Sequence, residues 1–434
     1  MKEYAPGIPY KGYKGNLLDL PTDAVLTMLL QRHKAKRAGE HIDWRIGNPN
    51  GLYSFAVPRG LPEAVGEKRL AIPTEKHAWS YKDFEGTIPS GYGAGEVSKV
   101  EESPVVILKN TPDHIILTRG TSKDSPVYSL RRTKNQNWLV SIRKKDEPTV
   151  VKFYKKQHFQ SVPMEDVPDL IDQGAAVSGK IDGAGALAYL GDNGINVYGI
   201  RQNAKGEHPD YTPYIGGLYG ANVPDDLKGT LLRTELYGIK DGKPIHPTEL
   251  TSILNSTIAN AVEKKQKRGI KLLMAALAVN KDGIDDYHAD VGSVVRKLNN
   301  PAIHEWPTYT GVQAKRLVDS IRAGKYVPTK EGVVVYRQGQ PTLKSKNIED
   351  FDVIIRDIFP ADTKGEPRAG GFMYSYPGSD KIVGRVGTGM DHAMLKDMLA
   401  NPQKYIGQTA RVHSQEKLPS SALRSPGFIA LKAD

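Results

Sequence analysis

Short runs of alternating apolar and polar residues, separated by Gly, Pro, Asn and Asp, dominate residues 41–145 of this chain. Such runs are typical of strands, because successive side chains of a strand point to opposite faces. The runs are GLYSFAVP, PVVILKN, HIILTRG, VYSLRR and NWLVSIRK. Their close spacing predicts a small β-barrel or β-sandwich. Just before them, TDAVLTMLLQRH has apolar residues at helical spacing, which predicts a short helix over residues 22–33.

A different pattern begins near residue 163, where strand-like runs alternate with longer helical stretches and predict an α+β domain. One helix is predicted over residues 248–268, ending at Gly269, and another over TGVQAKRLVDSIRAG. From residue 349 onward the chain returns to short strands, with one helix near DHAMLKDMLANP. This rhythm predicts a small β-barrel of the oligonucleotide-binding (OB) type.

Composition limits the classes of function. The chain has 434 residues, a formal net charge of +11 and no cysteine, so disulfides, thiolate metal sites and cysteine nucleophiles are excluded. The excess of Lys and Arg favours nucleic acid as partner, with a merely basic protein as the alternative. No run of about 18 apolar residues is present, and MKEYAPGIPYKGYKG lacks the apolar core of a secretory signal. We therefore expect a cytoplasmic protein without a membrane partner.

Charged residues inside apolar runs point to a nucleotide site in the middle of the chain. SGKIDGAGALAYL contains Lys180, followed by Asp182 and two glycines. Residues two apart in an extended chain share a face, so these two could face one ligand; a lysine–aspartate pair at a turn is the alternative. Further strand-like runs carry Glu235, Glu331, Lys344 and Lys346. A lysine nucleophile, acids for sugar hydroxyls and metal, and lysines for phosphates would suit magnesium–nucleotide chemistry.

Residues 163–434 resemble the catalytic core of ATP-dependent DNA ligases, in the covalent nucleotidyltransferase superfamily. The shared motifs are KIDG, GIRQN, TELYG, EGVVVY, the lysine pair of PTLKSK, GRVGTGM and LRSPGFIALKAD. The resemblance implies that Lys180 is the catalytic nucleophile. It implies that the nucleotide is bound by Asp182, Gly183, Arg201, Glu235, Glu331, Lys344, Lys346 and Arg424. Of these, Glu331 and Glu235 are the expected magnesium-associated acids.

The resemblance also implies three chemical steps. Lys180 attacks the α-phosphate of ATP and releases pyrophosphate, AMP passes to a 5′-phosphate at a nick, and a 3′-hydroxyl displaces AMP. ATP and Mg²⁺ are the expected cofactors, and nicked duplex DNA or DNA ends the expected partner. The chain departs from the family in three places. Gly185 stands where the family has an arginine, no aromatic residue lies near residue 275, and Gly427 replaces a basic residue.

Alternate positions in HIDWRIG would place His41, Asp43 and Arg45 on one face of a strand. Together with the earlier His33, two histidines and an aspartate can form a divalent metal site with open positions. A polar strand edge with ordinary hydrogen-bonded histidines is the alternative.

Residues from about 33 to 145 resemble the 3′-phosphoesterase domain of bacterial end-joining ligases, through FAVPRG and KRLAIPTEKHAWSYKDFEGTIPSGYGAGEV. The resemblance implies that manganese is bound by His33, His41 and Asp43. It implies that the phosphate is contacted by Arg45, Arg69 and His77, with Tyr81 nearby. The two histidines are eight residues apart, two more than in the family. Either a loop is longer by two residues or His33 is not a ligand.

These observations predict a multidomain α+β protein with five parts. They are an arm (1–24), a β-barrel-like 3′-phosphoesterase domain (25–146), a basic linker (147–162), an adenylation domain (163–348) and an OB-fold barrel (349–434). We expect a monomeric ATP-dependent DNA ligase with 3′-end processing, acting in DNA repair or replication. The alternatives are a DNA-end-binding factor with weak or no catalysis, and an RNA ligase.

Overall fold

The computed structural model provides the structure of most of the chain. It describes residues 17, 19–91, 93–120, 125–134, 137–143, 148–281, 284–325, 329, 331–362, 366–418 and 420–432. Most of the predicted N-terminal arm, and Lys144 and Lys145 of the basic stretch, lie outside these residues.

Eight antiparallel strands of the N-terminal part close into a barrel. The strands of this part are β1 (Val25–Ala35), β2 (Gly39–Asn48), β3 (Gly51–Val57), β4 (Lys68–Pro73), β5 (Gly86–Ile88), β6 (Gly95–Asn110), β7 (His114–Arg119), β8 (Val127–Arg132) and β9 (Trp138–Ile142). Their order is β1-β2-β3-β4-β9-β8-β7-β6, and β6 pairs again with β1, while β5 adds to the other edge of β6. Trp44, Phe55 and Trp138 are buried in the barrel core. The predicted barrel is therefore confirmed.

The helix predicted over residues 22–33 is wrong. These residues contribute to the long strand β1, which pairs with β2 on one side and β6 on the other. Leu26, Met28 and Leu30 point into the barrel core, so the alternation of the strand decides the structure. Leu29 is also fully buried, on the opposite face, which is why the apolar residues could be fitted to a helical spacing.

The remaining elements follow in chain order. The first group is α1 (Thr149–Lys152), β10 (Gln160–Ser161), α2 (Val167–Asp172), β11 (Ala176–Gly179), β12 (Ala184–Gly191), β13 (Gly194–Gly199), β14 (Leu231–Lys240), β15 (Lys243–Pro244), α3 (Pro247–Leu254), α4 (Ile258–Arg268), β16 (Lys271–Lys281), β17 (Ile284–Asp286), α5 (Val291–Leu298) and β18 (Ile303–Glu305). The second group is β19 (Thr308–Tyr309), α6 (Gly311–Arg322), β20 (Gly332–Tyr336), β21 (Leu343–Lys346), β22 (Glu349–Pro360), β23 (Ala369–Ser375), β24 (Gly384–Val386), α7 (His392–Ala400), β25 (Thr409–Ser414) and β26 (Gly427–Leu431). None of the helices in the described part of the chain has the length and apolar character needed to cross a membrane.

The chain divides into two compact units, and each is described by itself. The first unit joins residues 1–158 to residues 182–306, and the second joins residues 159–181 to residues 307–434. The chain therefore crosses from one unit to the other at residues 158/159, 181/182 and 306/307.

In the first unit, a mixed seven-stranded sheet accompanies the barrel. Its main path is β13-β12-β14-β16-β17, with β15 beside β14 and β18 parallel to β16. One face of this sheet packs against α3, α4 and α5 in the largest apolar cluster of the described residues, which also includes Val106 of the barrel. The single helix predicted over residues 248–268 is two helices, because Thr257 caps a new start at α4. Gly269 ends α4 in the left-handed conformation, as predicted.

The second unit contains two five-stranded sheets. The first, β10-β21-β20-β11-β19, packs on α2 and α6. The second, β24-β23-β22-β25-β26, is antiparallel and packs on α7. Helices α6 and α7 are those predicted from the sequence.

Candidate functional site

The hairpin of β1 and β2 explains how His33 comes to His41. Ala35 pairs with Gly39 across the turn, so His33 lies directly opposite His41 and Gln31 directly opposite Asp43. Directly opposite residues of an antiparallel pair share a face. This face is turned away from the barrel core, because the alternate residues, such as Trp44, fill that core. An eight-residue spacing is therefore what this hairpin needs to bring both histidines together.

His33, His41 and Asp43 form a cluster whose donor atoms all lie within 4.8 Å of one another. The Nδ1 of His33 is 3.2 Å from Asp43 Oδ2, and the Nε2 of His41 is 3.4 Å from Asp43 Oδ1. Ligands about 2.1 Å from a divalent ion are about 3.0 Å apart in an octahedron and about 3.4 Å apart in a tetrahedron. The cluster therefore fits a divalent metal, and three protein donors leave coordination positions open.

The other nitrogen of each histidine ring is held by the backbone. His33 Nε2 lies 2.9 Å from the carbonyl of Gly93, and His41 Nδ1 lies 3.0 Å from the carbonyl of Gly39. A carbonyl can only accept, so these nitrogens donate their protons. When the rings are neutral, His33 Nδ1 and His41 Nε2 carry the lone pairs that a metal would need, and when the rings are protonated these two atoms donate to the Asp43 carboxylate. Such backbone contacts orient the rings of metal-binding histidines.

Arg45 connects this cluster to a third histidine, His77. Its Nη2 donates to Asp43 Oδ2 at 2.9 Å, its Nε to Gln31 at 2.8 Å, and its Nη1 to Ser54 at 2.7 Å. The same Nη1 is 3.0 Å from the ring of His77. Because Arg45 is only 2% exposed, its charge is stabilised by these partners and not by water.

Burial and charge set the protonation of these groups. Burial alone would raise the pKa of Asp43, but Arg45 and hydrogen bonds from His33 and His41 hold that pKa well below its ordinary value. The hydrogen bond that His41 donates to Asp43 raises the pKa of His41. Burial, assisted by Arg45, lowers the pKa of His77 to about 3, so His77 is neutral at pH 7.

Two predicted residues of the phosphate site remain. Tyr81 lies close to the cluster, and Arg69 has a different partner. Tyr81 lies in a short 3₁₀ turn, Trp79–Asp83, with its ring centroid 4.8 Å from the Arg45 guanidinium carbon and 4.6 Å from the His77 ring. Arg69, on β4, is paired with Glu67 at 3.0 Å. Tyr81 thus lies beside the cluster through its contacts with Arg45 and His77, whereas the ion pair of Arg69 is with Glu67.

In the second unit, Lys180 is held between strand ends. It follows β11, and its backbone N–H donates to the Gly332 carbonyl at 2.8 Å. Its Nζ donates to Glu331 Oε2 at 2.5 Å, and its carbonyl accepts from the Thr329 hydroxyl. A Cβ at Gly332, whose φ is +140°, would lie 2.0 Å from the Ser345 carbonyl oxygen, so only glycine fits directly after Glu331.

Further cations surround Glu331. Lys346 Nζ lies 3.9 Å from Glu331 Oε1, and Gln415 donates to the same oxygen at 3.3 Å. Burial lowers the pKa of Lys346, and although Glu331 opposes this, Lys180, Lys344 and Arg424 reinforce it. Lys344 and Lys346 occupy alternate positions of β21, as predicted, and Arg424 also pairs with Glu416 at 3.2 Å. The arrangement can bind a polyphosphate, since several cations share one buried acid.

In the first unit, Glu235 occupies the middle of a row that crosses the seven-stranded sheet. It lies opposite Gly185 of β12 on one side and Ala275 of β16 on the other, and Ala275 is in register with His304 of β18. This face is turned away from α3 and α4. Gly183 packs on β14 so closely that a Cβ there would lie 2.4 Å from the Leu236 carbonyl oxygen. The strand starts at Ala184, so Asp182 and Gly183 precede it, and the exposed Arg201 follows β13.

Aromatic side chains lie beside Ala275, where the family has its own aromatic residue. Tyr237 donates to or accepts from His304 Nε2 at 2.9 Å, and Trp306 packs within 6.1 and 6.2 Å of these two rings. Tyr237 is two residues after Glu235 on β14 and shares its face. Burial raises the pKa of Tyr237 to about 12 and lowers that of His304, so both are neutral at pH 7.

Several side chains that complete these sites were not predicted from the sequence. Gln31 and Ser54 are fully buried beside Arg45, and Gln31 continues the alternation of His33 on the same strand. That alternation was a usable signal once β1 was assigned as a strand. Thr329 and Gln415 come from loops, and no local pattern singles them out.

Comparison with known proteins relates both parts of the chain to one kind of protein. Residues 31–114 match the family model described as the DNA ligase D 3′-phosphoesterase domain. The multifunctional non-homologous end joining protein LigD of Mycolicibacterium smegmatis is 39% identical over 400 residues, which cover 86% of this chain and 49% of that protein. The LigD protein of Pseudomonas aeruginosa is 45% identical over 74 residues, covering 17% of this chain and 9% of its own. The chain thus spans about half the length, or less, of these curated relatives.

Among solved structures, the one titled "mycobacterial DNA ligase D complexed with ATP and MES" superposes with a TM-score of 0.28 and 19% identity. It covers 60% of this chain and 89% of its own. The sequence relationship is the stronger observation. Most of this chain is related in sequence to multifunctional end-joining proteins of the LigD type, and residues 31–114 are similar to their 3′-phosphoesterase domain.

Proposed function

We propose that this chain is an ATP-dependent DNA ligase that carries a 3′-end-processing phosphoesterase domain. The observation that carries the proposal is the 39% identity to a LigD protein across 86% of the chain, together with the match of residues 31–114, which include His33, His41 and Asp43, to the 3′-phosphoesterase family model. On this proposal, the chain acts on nicks and DNA ends during repair, as a cytoplasmic monomer. Its net charge of +11 supports a polyanionic partner.

The proposed domains follow the sequence prediction. The sheets formed within residues 163–348 would be the α+β nucleotidyltransferase domain, and the antiparallel sheet of β22 to β26 would be the OB-fold domain. The basic linker would run over residues 147–162, after the phosphoesterase domain of residues 25–146.

Lys180 is the proposed nucleophile. Its Nζ would form a bond to the α-phosphorus of ATP while pyrophosphate leaves, and the 2.5 Å contact with Glu331 supports this role because it fixes the position of Nζ. Lys344, Lys346 and Arg424 would neutralise the phosphates. In the first unit, Glu235 would bind the sugar hydroxyls, with Asp182, Gly183 and Arg201 as further nucleotide contacts. Magnesium would supply charge stabilisation for the phosphates, with Glu331 and Glu235 as the proposed magnesium-associated acids of their respective units.

The N-terminal cluster is the proposed phosphoesterase site. His33, His41 and Asp43 would hold a divalent metal, manganese or magnesium, and the chemistry that such an ion would supply there is a lowered pKa of a bound water molecule. Arg45 and Arg69 would bind phosphate oxygens. His77, whose pKa is about 3, is a poor proton acceptor at pH 7, so it would hydrogen-bond the substrate as a neutral ring beside Tyr81.

A self-adenylation assay tests the proposal. The wild type is incubated with α-labelled ATP and Mg²⁺, and the protein-bound label is then chased with nicked duplex DNA. We expect a labelled adduct that disappears as the nick is sealed, no adduct from Lys180→Ala, and a normal adduct from the exposed-surface control Lys267→Ala. Nick binding without an adduct would support a DNA-end-binding factor, and sealing of nicked RNA alone would support an RNA ligase.

A further inference from the structure

Arg233 lies inside β14, two residues before Glu235, and its side chain is only 12% exposed. Its Nη2 lies 3.4 Å from Glu235 Oε2, and Glu235 is itself only 16% exposed. A buried guanidinium is costly unless it is paired, so this arginine must be fixed by its neighbours.

The guanidinium of Arg233 lies over Gly185. A Cβ built at Gly185 would meet Arg233 Nη2 at 3.3 Å and Nη1 at 3.6 Å, and Ile200 Cδ1 at 3.3 Å. Because Gly185 pairs directly with Glu235, the three residues form one group on the same face of the sheet. The glycine therefore leaves the space that the guanidinium occupies, and a long side chain at residue 185 would compete with Arg233 for it.

The backbone also holds Arg233, because its Nη1 donates to the Thr234 carbonyl and to the Ala186 carbonyl at 3.5 Å. Tyr154 donates to Asp285 Oδ2 at 2.6 Å, and Asn280 donates to Asp285 Oδ1 at 2.8 Å. Burial opposes the charge of Arg233, but Glu235, with the nearby Tyr287, Tyr154 and Asp285, outweighs it and raises the pKa of Arg233. Arg233 is thus a charged group held by Glu235 and backbone carbonyls, and the nearby Asp285 adds to the stabilisation of its charge.

We propose that Arg233 is a positioning residue of the nucleotide site, which holds the Glu235 carboxylate in place from two residues earlier on the same strand, β14. This rests on the proposed function, in which Glu235 binds the sugar of ATP. It explains why Gly185 can stand where the related ligases have an arginine: here the guanidinium comes from β14 and not from β12. Arg233 does not contact the nucleotide on this account, but acts through Glu235.

A reciprocal exchange tests the proposal. The variants are Arg233→Ala, Gly185→Arg and the double variant Gly185→Arg/Arg233→Ala, with the exposed Arg296→Ala as control. Apparent KM for ATP and the maximal rate are measured in self-adenylation, ATP affinity is measured by calorimetry, and stability by thermal unfolding. A charge-assisted hydrogen bond contributes about 1.5–3 kcal/mol, so we expect Arg233→Ala to raise KM about 10- to 100-fold. Gly185→Arg should also be impaired, and the double variant should return to within about threefold of wild type.

The outcomes separate this proposal from the ligase proposal. A double variant no better than the poorer single variant, or an unchanged KM in Arg233→Ala, would overturn the positioning role. A purely structural Arg233 would lower the unfolding temperature without recovery of KM in the double variant. If the wild type binds ATP but forms no adduct, the ligase proposal fails, and the calorimetric affinities still decide Arg233: an unchanged Kd in Arg233→Ala would count against it.

Discussion

Glu331 and Lys180 are joined by a hydrogen bond of 2.5 Å from the lysine Nζ to the carboxylate Oε2. Glu331 is 7% exposed and Lys180 is 23% exposed, so the acid is buried and the lysine reaches toward solvent. The other carboxylate oxygen is engaged by Gln415 and Lys346. One buried acid therefore fixes the position of the proposed nucleophile while a second lysine shares its charge.

We expect Glu331→Gln to slow formation of the lysine adduct about 10- to 100-fold, because a hydrogen bond to a charged group contributes about 1.5–3 kcal/mol. The substitution keeps the shape of the side chain and removes its charge. Single-turnover labelling with ATP and Mg²⁺ measures the effect, and the exposed Glu349→Gln serves as matched control. Wild-type speed in Glu331→Gln would show that the contact does not assist the attack.

Removal of one member of the N-terminal cluster should weaken metal binding. Asp43→Ala and His33→Ala each delete one of three donors, so we expect Mn²⁺ affinity to fall by at least about 100-fold, more than is typical for an outer-sphere partner. Calorimetric titration of the full chain with Mn²⁺ measures this. The exposed His288→Ala is the matched control. If His33→Ala binds Mn²⁺ with the affinity of the wild type, His33 is not a metal ligand.

Acidification should destabilise the barrel through His77. Its pKa is about 3 in the folded protein, while an exposed histidine titrates near 6.5, so the unfolded chain takes up a proton first. The stabilising effect is fully present above about pH 6.5 and is lost as the pH falls toward 3, by up to about 1.4 kcal/mol per pH unit. His41, with its raised pKa, acts in the opposite direction, since its contribution is present at low pH and is lost as the pH rises above 6.5.

Denaturant unfolding of wild type and His77→Gln at pH 7, 6 and 5 separates these contributions. We expect the stability difference between the two proteins to shrink as the pH is lowered, because the glutamine variant does not titrate. His114, whose pKa burial lowers to about 4, provides a second test at a site remote from the metal cluster, through His114→Gln. Parallel pH curves for wild type and both variants would contradict the assignment.

The sequence predicted elements whose pattern is local. β7, β8, β9, α6 and α7 appear where alternation or helical spacing indicated them. β1 was misassigned because Leu26, Leu29 and Leu30 are buried on two faces of one strand, and two-sided burial imitates helical spacing. Which face each residue occupies depends on how β1 pairs with β2 and with β6, and β6 is distant from β1 in the sequence.

The candidate sites divide in the same way, into residues that a local motif predicts and residues that only the fold brings together. The residues of single motifs, such as Lys180, could be named from the sequence, because the chemistry needs those residue types. The partners that complete each group come from other strands. Arg233 reaches Glu235 because both lie on β14, but it fills the space over Gly185 only through the register of β12 with β14. His304 meets Ala275 only because β18 runs parallel to β16. These registers join strands that are separate in the sequence, so no single stretch of sequence predicts them.

His304 beside Ala275 leads to a prediction on ATP affinity. We expect His304→Ala to raise the apparent KM for ATP about 10-fold with little change in maximal rate, since stacking of a base on a ring contributes about 1–3 kcal/mol. Tyr237 would keep the other side of the proposed base site in place. Self-adenylation as a function of ATP concentration gives both constants, and the exposed Phe153→Ala is the aromatic control. A loss confined to the maximal rate would place the base elsewhere.

A buried lysine of α4, Lys265, links the segment before β1 to the helices that cover the seven-stranded sheet. Lys265 Nζ lies 3.1 Å from both carboxylate oxygens of Asp23 and donates to the Tyr214 carbonyl at 2.8 Å. Lys265 is 6% exposed and Asp23 is 39% exposed, so breaking the pair leaves a half-solvated acid and not a fully buried one. We therefore expect Lys265→Ala to lower the free energy of unfolding of the first unit by about 1–3 kcal/mol, below the cost of a fully buried pair.

Thermal and denaturant unfolding measure this loss against a matched surface pair. Lys297 and Asp226 also form an ion pair, but their side chains are 52% and 57% exposed, so Lys297→Ala should cost no more than about 0.5–1 kcal/mol. The contrast follows from burial, because water screens the exposed pair and is excluded from the Lys265 ammonium. Equal losses in the two variants would mean that the buried pair contributes no more than a surface contact, and that the apolar packing of Val106 against the sheet holds the barrel in place.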